Sequence, residues 1–175
     1  GTGQLPKFSE DLFTAGEKHW LIPTAEVPLT NLSNNQILNI KQLPLRYTSY
    51  THCFRSEAGS WGKDVKGIKR VHQFDKIEMN AVCLPAQSEA VYEEFGQINE
   101  WLLQQLELPY RIVDKCHGDA GYLASHRQRD MEVWLTGSQE FMEAMTDTNT
   151  TAYQARRMRL RYKGNKGGPQ FCRTV

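Results

Sequence analysis

The stretch that decides the fold of this chain is FRSEAGSWGKDVKGIKRVHQFDKIEM, from Phe54 to Met79. Two runs with strand character flank a connection rich in glycine and lysine, which is typical of a β-hairpin. Residues two apart on an extended chain project from the same face, so Arg55 and Glu57 are expected to share one. After the connection, one face is expected to carry Arg70, His72, Phe74, Lys76 and Glu78, and the other Val71, Ile77 and Met79.

The polar face of this hairpin has the chemistry of a ligand surface. Unpaired charges cost free energy to bury, so a face that carries two arginines and two glutamates is a poor core surface. Arginine forks bind phosphate or carboxylate oxygens, and a carboxylate accepts from an amine or a hydroxyl. Phe74 offers a flat surface to a base and lies about 13 Å from Glu78 at ~3.3 Å per residue, the span of an adenylate joined to a small acyl group. A hairpin with a solvated outer face is the alternative.

Other segments follow the same order as in a known family. The hairpin carries FRSE at Phe54–Glu57, then Gly67, then RVHQFDKIE at Arg70–Glu78. Around it lie GTGQLPKF at Gly1–Phe8, PTAEVPLTNL at Pro23–Leu32, LPYRIV at Leu108–Val113, Gly118-Asp119, DMEVW at Asp130–Trp134 and QARR at Gln154–Arg157. Together these segments resemble seryl-tRNA synthetases, a family of class II aminoacyl-tRNA synthetases whose second signature motif is this hairpin. An arginine and a glutamate alone are a weak signal, whereas ordered segments across nearly the whole chain are specific.

The resemblance implies a fold and a reaction. The expected fold is α+β, with a mainly antiparallel sheet and flanking helices, as in the class II catalytic core. The implied reaction is the activation of L-serine by ATP and Mg²⁺ to seryl-adenylate, followed by transfer to the 3′ end of tRNA(Ser). It depends on positioning and charge neutralisation, without a covalent enzyme intermediate. A homodimer is expected of the full-length protein.

The resemblance also implies roles for individual residues. Arg55 is expected to be catalytic and to bridge the ATP α-phosphate and the serine carboxylate. Thr24 and Glu26 are expected at the serine ammonium group, and Glu78 at the serine hydroxyl. Local sequence gives Thr24 a second interpretation, since a hydroxyl residue at a helix start is a common N-cap. The expected ATP-binding residues are Arg55, Glu57, Arg70, Val71, Phe74, Glu143 and Thr146.

Within that set, Phe74 is expected to stack on adenine, Arg70 to bind the γ-phosphate, and Glu57 to hold the adenine or phosphate end. Glu143 and Thr146 are expected to bind the Mg²⁺ on the ATP phosphates, an all-oxygen arrangement that suits a hard cation. Here the chain departs from the family, which generally has a serine at the position of Thr146. The substitution keeps the oxygen donor and adds a methyl group. A second departure is Arg129, where the family generally has tyrosine.

Composition indicates an ordinary globular domain. The chain has 175 residues, of which 39% are hydrophobic and 23% charged, and its net charge is +1. No apolar run approaches the ~20 residues of a membrane span and no signal pattern begins the chain, so a cytoplasmic location without membrane contact is expected. The four cysteines are widely spaced, which favours buried or inert thiols over disulfides or a zinc site. The basic run from Arg156 to Arg173 contains no acid and indicates either a solvated edge or a phosphate-facing one.

Periodicity predicts the main scaffold elements. Pro85 to Leu106 is predicted to be a helix, with one apolar stripe of Val91, Phe95, Ile98, Leu102 and Leu106. Strands are predicted at Leu45–Arg55, Tyr110–Val113, Asp130–Leu135 and Gln154–Tyr162.

The whole chain is expected to be a partial class II catalytic domain, without the N-terminal coiled coil, the first motif and the third motif. Three other functions remain open at this point. One is a synthetase-like paralogue that is inactive or charges a carrier protein with an amino acid. Another is a nucleic-acid-binding module that uses the basic run. The third is a hydrolase or metal site at Asp130 and Glu132, a carboxylate pair on one face of a strand.

Overall fold

The computed structural model describes residue 5 and residues 9–58, 69–116, 126–164 and 167–175. Within these ranges, the chain forms three α-helices, short 3₁₀ turns and eleven strands. The Gly67, Gly118 and Asp119 positions of the family segments lie outside the described residues, as does most of Gly1–Phe8. No helix in the described ranges is long and apolar enough to cross a membrane.

The predicted hairpin is present and is the longest strand pair of the structure. Its strands are β4 (Leu45–Phe54) and β5 (Gln73–Cys83), paired antiparallel from Phe54 opposite Gln73 to Leu45 opposite Val82. Tyr, Thr and other β-favouring residues fill β4, and their burial alternates along the strand. The expected single face holds for Phe74, Lys76 and Glu78. It does not hold for Arg70 and His72, because the extended backbone begins only at Gln73.

The remaining strands form small sheets around this hairpin. One sheet is β1 (Thr14–Ala15) with β2 (His19–Trp20), and another has the order β6 (Tyr110–Asp114), β7 (Arg127–Leu135), β8 (Glu140–Asn149). A third contains β3 (Ile37–Asn39), β9 (Arg161–Lys163) and β10 (Gln170–Phe171), and β11 (Arg173–Thr174) adds to the free side of β5 at Val82 and Cys83. All pairs are antiparallel except β3 with β9. The expected α+β class with mainly antiparallel pairing is confirmed.

The long helix, α2 (Ser88–Gln105), differs from its predicted stripe. Val91 and Phe95 are buried as expected and pack with Ala81 and Cys83 of the hairpin. Ile98 and Leu106 are exposed, however, and the buried face instead continues through Asn99 and Leu103. The apolar spacing could not reveal this rotation, because the buried position at Asn99 is polar and serves a hydrogen bond.

The predicted strand at Gln154–Tyr162 is wrong over most of its length. Helix α3 (Tyr153–Arg157) occupies its first part, and only β9 at its end is extended. Met158 and Leu160 are buried in the core with Val82 and Cys172, which anchors this segment beside the hairpin. Helix α1 (Glu26–Asn31), which precedes the hairpin in the chain, packs against the hairpin as well.

The atypical Arg129 is the centre of a buried polar network between α2 and the β6–β8 sheet. Its Nε donates to Asp147 Oδ2 at 2.9 Å, its Nη1 donates to Glu93 Oε2 at 2.9 Å, and its Nη2 donates to the Tyr92 carbonyl at 2.9 Å. Asn99 Nδ2 donates to the other oxygen of Asp147 at 2.6 Å. Arg129 thus has three acceptors, and Asp147 has donors on both oxygens, as buried charges require.

Gly96 provides the space for this network. A Cβ at that position would lie 1.7 Å from Arg129 Nη2. The Arg129 guanidinium group on β7 therefore occupies the space that a side chain at position 96 of α2 would need.

The substitution Gly96→Ala tests this fit. We expect the free energy of unfolding to fall by about 1–3 kcal/mol, because overpacking displaces Arg129 from its acceptors. That loss outweighs the roughly 1 kcal/mol that alanine gains in helix propensity. Denaturant unfolding measures it, with Gln97→Ala on the exposed side of the same helix as the control, expected to change stability by only about 0.5 kcal/mol. Equal or greater stability of Gly96→Ala would contradict the packing described.

Candidate active site

A large cleft opens between β5 and β8. Its volume is about 1400 Å³, and an adjoining pocket of about 350 Å³ extends from it towards α1. All the site residues that the sequence predicts line the cleft or the pocket: Thr24, Glu26, Arg55, Glu57, Arg70, Val71, Phe74, Glu78, Glu143 and Thr146. Clefts of this kind, lined by apolar groups and a few converging polar ones, are typical of small-molecule sites.

Arg55 lies just after β4 and is held from two sides. Its Nε donates to the carbonyl of Pro23 at 3.2 Å, and its guanidinium carbon lies 5.1 Å from the centre of the Phe74 ring. This cation–π contact fixes the plane of the guanidinium over one side of the ring. Since Nε is occupied, the terminal nitrogens of the fork are the ones that can meet a ligand oxygen. The other side of the Phe74 ring can stack on a base.

Glu57 and Arg70 form an ion pair across the ends of the hairpin strands. Glu57 Oε2 lies 2.6 Å from Arg70 Nη1, and the Glu57 backbone is left-handed with φ 54°. Such a conformation is unfavourable for a residue with a Cβ, so the surrounding contacts hold it in place. An anion that binds Arg70 therefore meets a guanidinium group that is already paired with the Glu57 carboxylate. Val71 follows directly and is 38% exposed on the cleft.

A compact polar cluster of Thr24, Lys76 and Glu78 lies at the border of the 350 Å³ pocket and the cleft: Thr24 lines the pocket, Glu78 lines the cleft, and Lys76 lines both. Thr24 Oγ1 donates to Glu78 Oε2 at 2.9 Å and accepts from Lys76 Nζ at 3.0 Å. Lys76 Nζ also lies 2.6 Å from Glu78 Oε2. The N-cap position of α1 belongs to Ala25, although the backbone N–H of Glu26 reaches Thr24 Oγ1 at 3.3 Å. Thr24 is therefore primarily a pocket residue and makes only a weak capping contact.

Glu26 is oriented by a directional chain of hydrogen bonds. Gln154 Nε2 donates to Glu26 Oε1 at 2.5 Å, and the Oε1 of Gln154 accepts from Thr174 Oγ1 at 2.7 Å. An ionised carboxylate only accepts, so Glu26 fixes the NH₂ end of the Gln154 amide towards itself, and the Thr174 hydroxyl then donates to the amide oxygen. Burial raises the pKa of Glu26, and the charge of Glu78 raises it further. The bond from Gln154 and the charge of Lys76 act in the opposite direction.

Oxygen donors also converge on β8. Thr146 Oγ1 lies 2.8 Å from Glu143 Oε1 and 2.9 Å from Asp130 Oδ1, so its single hydrogen can be donated to only one of them at a time. Lys115 Nζ lies 2.7 Å from Asp130 Oδ2 and 3.9 Å from Glu143 Oε2. The side chains of Glu143 and Thr146 lie on the same side of β8, although they are three residues apart. This is possible because the register of β8 against β7 shifts after Met131, which leaves one extra residue in β8.

These donors fit Mg²⁺ in its usual form in nucleotide sites. Such an ion is held by one or two carboxylates together with substrate phosphates and waters, and not by a complete protein cage. Consistent with this, no group of three or more His, Cys, Asp or Glu side chains in the described ranges could hold a metal by itself. Glu143 is exposed on the cleft and Thr146 supplies a neutral oxygen beside it.

The carboxylates that suggested a hydrolase are each bound to a basic side chain. Asp130 pairs with Lys115, and Glu132 lies 2.6 Å from Arg111 Nε. Three of the four cysteines, Cys53, Cys83 and Cys172, are buried free thiols, while Cys116 is exposed. Burial raises the pKa of Cys83 to about 12, and the charge of Cys172 adds to this effect. The expectation of inert thiols agrees with these surroundings.

Sequence reasoning missed three residues of the site. The sequence predicts Lys76 on the polar face of the hairpin but gives it no role, although it stands between Asp75 and Glu78. Gln154 was assigned to a strand, so its contact with Glu26, 128 residues away, could not be anticipated. Lys115 follows a short strand with no signal of its own. Of the three, only Lys76 carries a signal in the sequence, because it lies between Phe74 and Glu78, two expected ligand residues, on one face of a predicted strand.

A family model matches residues 9–175, and its description is "tRNA synthetase class II core domain (G, H, P, S and T)". Among curated relatives, the serine–tRNA ligase of Synechococcus sp. (strain JA-2-3B'a(2-13)) is 50% identical over all of this chain and 40% of its own length. The serine–tRNA ligase of Paramagnetospirillum magneticum is 52% identical over all of this chain and 42% of its own length. The chain thus spans about two fifths of the length of these relatives.

Two solved structures are similar over nearly all of the chain. One is the crystal structure of seryl-tRNA synthetase from Pyrococcus horikoshii complexed with ATP, with 41% identity, a TM-score of 0.91, and coverage of 95% of this chain and 38% of that one. The other is cytoplasmic serine–tRNA ligase from Naegleria fowleri in complex with AMP, with 34% identity, a TM-score of 0.89, and coverage of 98% and 42%. The chain belongs to the class II tRNA synthetase core-domain family.

Proposed function

We propose that the intact protein is a serine–tRNA ligase and that this chain supplies the central part of its catalytic domain. The observation that carries the proposal is the placement of Arg55 between two regions. The nucleotide-sized cleft with Phe74 lies on one side, and the small pocket with Thr24 and Glu26, bordered by Glu78 of the cleft, lies on the other. The similarity to serine–tRNA ligases over the whole chain supports the same activity.

The chemical step joins the serine carboxylate to the α-phosphorus of ATP. A carboxylate oxygen attacks, the bond to the bridging oxygen of the β-phosphate breaks, and pyrophosphate leaves. Arg55 binds an α-phosphate oxygen and the serine carboxylate with the two arms of its fork. It therefore lowers the repulsion between the two anions and neutralises the charge that develops on the phosphoryl oxygens. The contacts to Pro23 and Phe74 hold the guanidinium in advance, so little entropy is lost on binding.

The small pocket, together with Glu78 at its border with the cleft, recognises the amino acid. Its ammonium group binds at Glu26 and Thr24, and its hydroxyl donates to Glu78. A site that hydrogen-bonds a substrate hydroxyl rejects an analogue without it strongly, because the buried acceptor is left without a partner. The side chain of Glu78 is only 16% exposed, so this penalty applies to alanine here.

The larger cleft holds ATP. Adenine stacks on Phe74 and packs against Val71, while Glu57 binds at the adenine or phosphate end and Arg70 binds the γ-phosphate. Glu143 and Thr146 would hold Mg²⁺ on the phosphates, where the ion supplies charge neutralisation and orientation. In the second step, a hydroxyl at the 3′ end of tRNA(Ser) takes the seryl group from the adenylate. Cytoplasmic action as a homodimer belongs to the same proposal.

Serine-dependent exchange between ATP and pyrophosphate in the intact protein tests the catalytic assignment. We expect Arg55→Ala to reduce the exchange rate by about 10²–10³-fold, the cost of one positioned donor at developing charge. Arg46→Ala is the matched control, because Arg46 lies on β4, the strand that Arg55 follows, but pairs with Glu94 of α2 at 2.6 Å, and its side chain is 46% exposed. The control is expected to exchange at nearly the normal rate.

The same assay separates the alternatives. A nucleic-acid-binding module shows no exchange in the unsubstituted protein, and an amino acid:carrier-protein ligase shows exchange but no serylation of tRNA. Full exchange by Arg55→Ala would contradict the role given to Arg55.

The magnesium assignment predicts an altered metal requirement. We expect Glu143→Gln to raise the Mg²⁺ concentration for half-maximal exchange by about tenfold or more, since neighbours that only support a metal ligand already contribute 10–100-fold. Glu132→Gln on the adjacent strand, which pairs with Arg111, is the control and is expected to leave the requirement unchanged. If both variants responded alike to Mg²⁺, the ion would be bound elsewhere.

A further inference from the structure

We propose that Lys76 determines hydroxyl selectivity by fixing the orientation of the Glu78 carboxylate and balancing the charge of the two acidic side chains in the amino-acid pocket. The inference rests on the proposed function, because it concerns the same pocket. It makes Lys76 a positioning residue that acts through Glu78 and Glu26.

The contacts of Lys76 define which oxygen of Glu78 remains for a ligand. Lys76 lies two residues before Glu78 on β5, so both side chains project from one face. Lys76 Nζ and Thr24 Oγ1 both bind Oε2 of Glu78, at 2.6 and 2.9 Å. The same ammonium donates to Thr24 Oγ1 at 3.0 Å, so Lys76, Thr24 and Glu78 all contact one another. Oε2 is saturated by these two donors, which directs a substrate hydroxyl to Oε1.

Charge balance gives Lys76 a second effect. Glu26 and Glu78 repel each other, since the charge of Glu78 raises the pKa of Glu26 and the charge of Lys76 lowers it. With Lys76 present, the three groups have a net charge of −1, which matches a single substrate ammonium. The other charged groups that line this pocket are Asp11, Arg55, Glu57 and Arg70. In the proposed function Arg55 binds the carboxylate of the ligand, and Glu57 and Arg70 pair with each other.

Removal of the Lys76 charge should therefore have two separate consequences. Glu78 can rotate, so its free oxygen no longer marks the hydroxyl position and an amino acid without a hydroxyl is penalised less. The pKa of Glu26 rises further, because the charged form of Glu26 loses a stabilising neighbour, and Glu26 then binds the ammonium group less well. The second effect reverses as the pH is raised, whereas the first does not.

Exchange kinetics of the intact protein with serine and with alanine test this inference. For Lys76→Met, we expect the KM for serine to rise by about tenfold or more with the KM for ATP within about twofold. The ratio of kcat/KM for serine over alanine is expected to fall by at least about tenfold. The serine KM should recover partly as the pH is raised. Lys76→Gln removes the charge but keeps a polar side chain, and it provides the same readouts if the Met variant folds poorly.

Two further variants act as controls. Lys76→Arg keeps the charge and is expected to retain most of the selectivity. Lys41→Met removes an exposed lysine outside the cleft and is expected to change none of these constants. A structural role for Lys76 would lower kcat for both amino acids equally and leave their ratio intact.

The outcomes separate this inference from the function on which it rests. Serine exchange in the unsubstituted protein, with an unchanged serine to alanine ratio in the Met or Gln variant, would overturn the inference alone. Absence of exchange in the unsubstituted protein would overturn the proposed function and the inference with it.

Discussion

The register of β4 against β5 is the constraint on which the site depends. Because side chains alternate along a strand, a slip of one residue would turn Phe74, Lys76 and Glu78 to the opposite face. Pairing from Leu45–Val82 to Phe54–Gln73 excludes such a slip, and the buried Cys53, Ala81, Val82 and Cys83 anchor it in the core. The apolar residues of the hairpin thus set the position of the polar ones.

Neighbouring elements then supply what the hairpin lacks. The start of α1 and the residues just before it bring Glu26 and Thr24, α3 brings Gln154, and β5 brings Glu78, so the amino-acid site is built from three parts of the chain that are distant in sequence. On the other side of the cleft, β8 carries Glu143 and Thr146 and is tied to α2 through Asp147 and Arg129. Two oppositely charged pairs in this site, Glu57 with Arg70 and Lys76 with Glu78, limit the free energy lost by desolvation before a ligand binds.

The sequence was most informative where local chemistry and periodicity agree. The hairpin, the main helix and the converging polar residues followed from strand alternation, helical spacing and the resemblance to a family. Errors arose where tertiary contacts override local pattern. The buried Asn99 displaced the stripe of α2, and the run from Gln154 became helical because its apolar residues pack beside Val82. The partners of Lys76 and Gln154 depend on contacts between distant segments, which no local pattern contains.

We propose that an adenylate lies along β5 with its phosphate at Arg55 and its amino acid at Glu78. The most direct measurement is a crystal structure of the intact protein bound to a non-hydrolysable seryl-adenylate analogue. The account predicts a guanidinium nitrogen of Arg55 at about 2.7–2.9 Å from a non-bridging oxygen of the phosphate or its substitute, and the analogue hydroxyl at hydrogen-bond distance from Glu78 Oε1. An analogue bound away from β5, or bound there with its hydroxyl directed away from Glu78, would contradict the account.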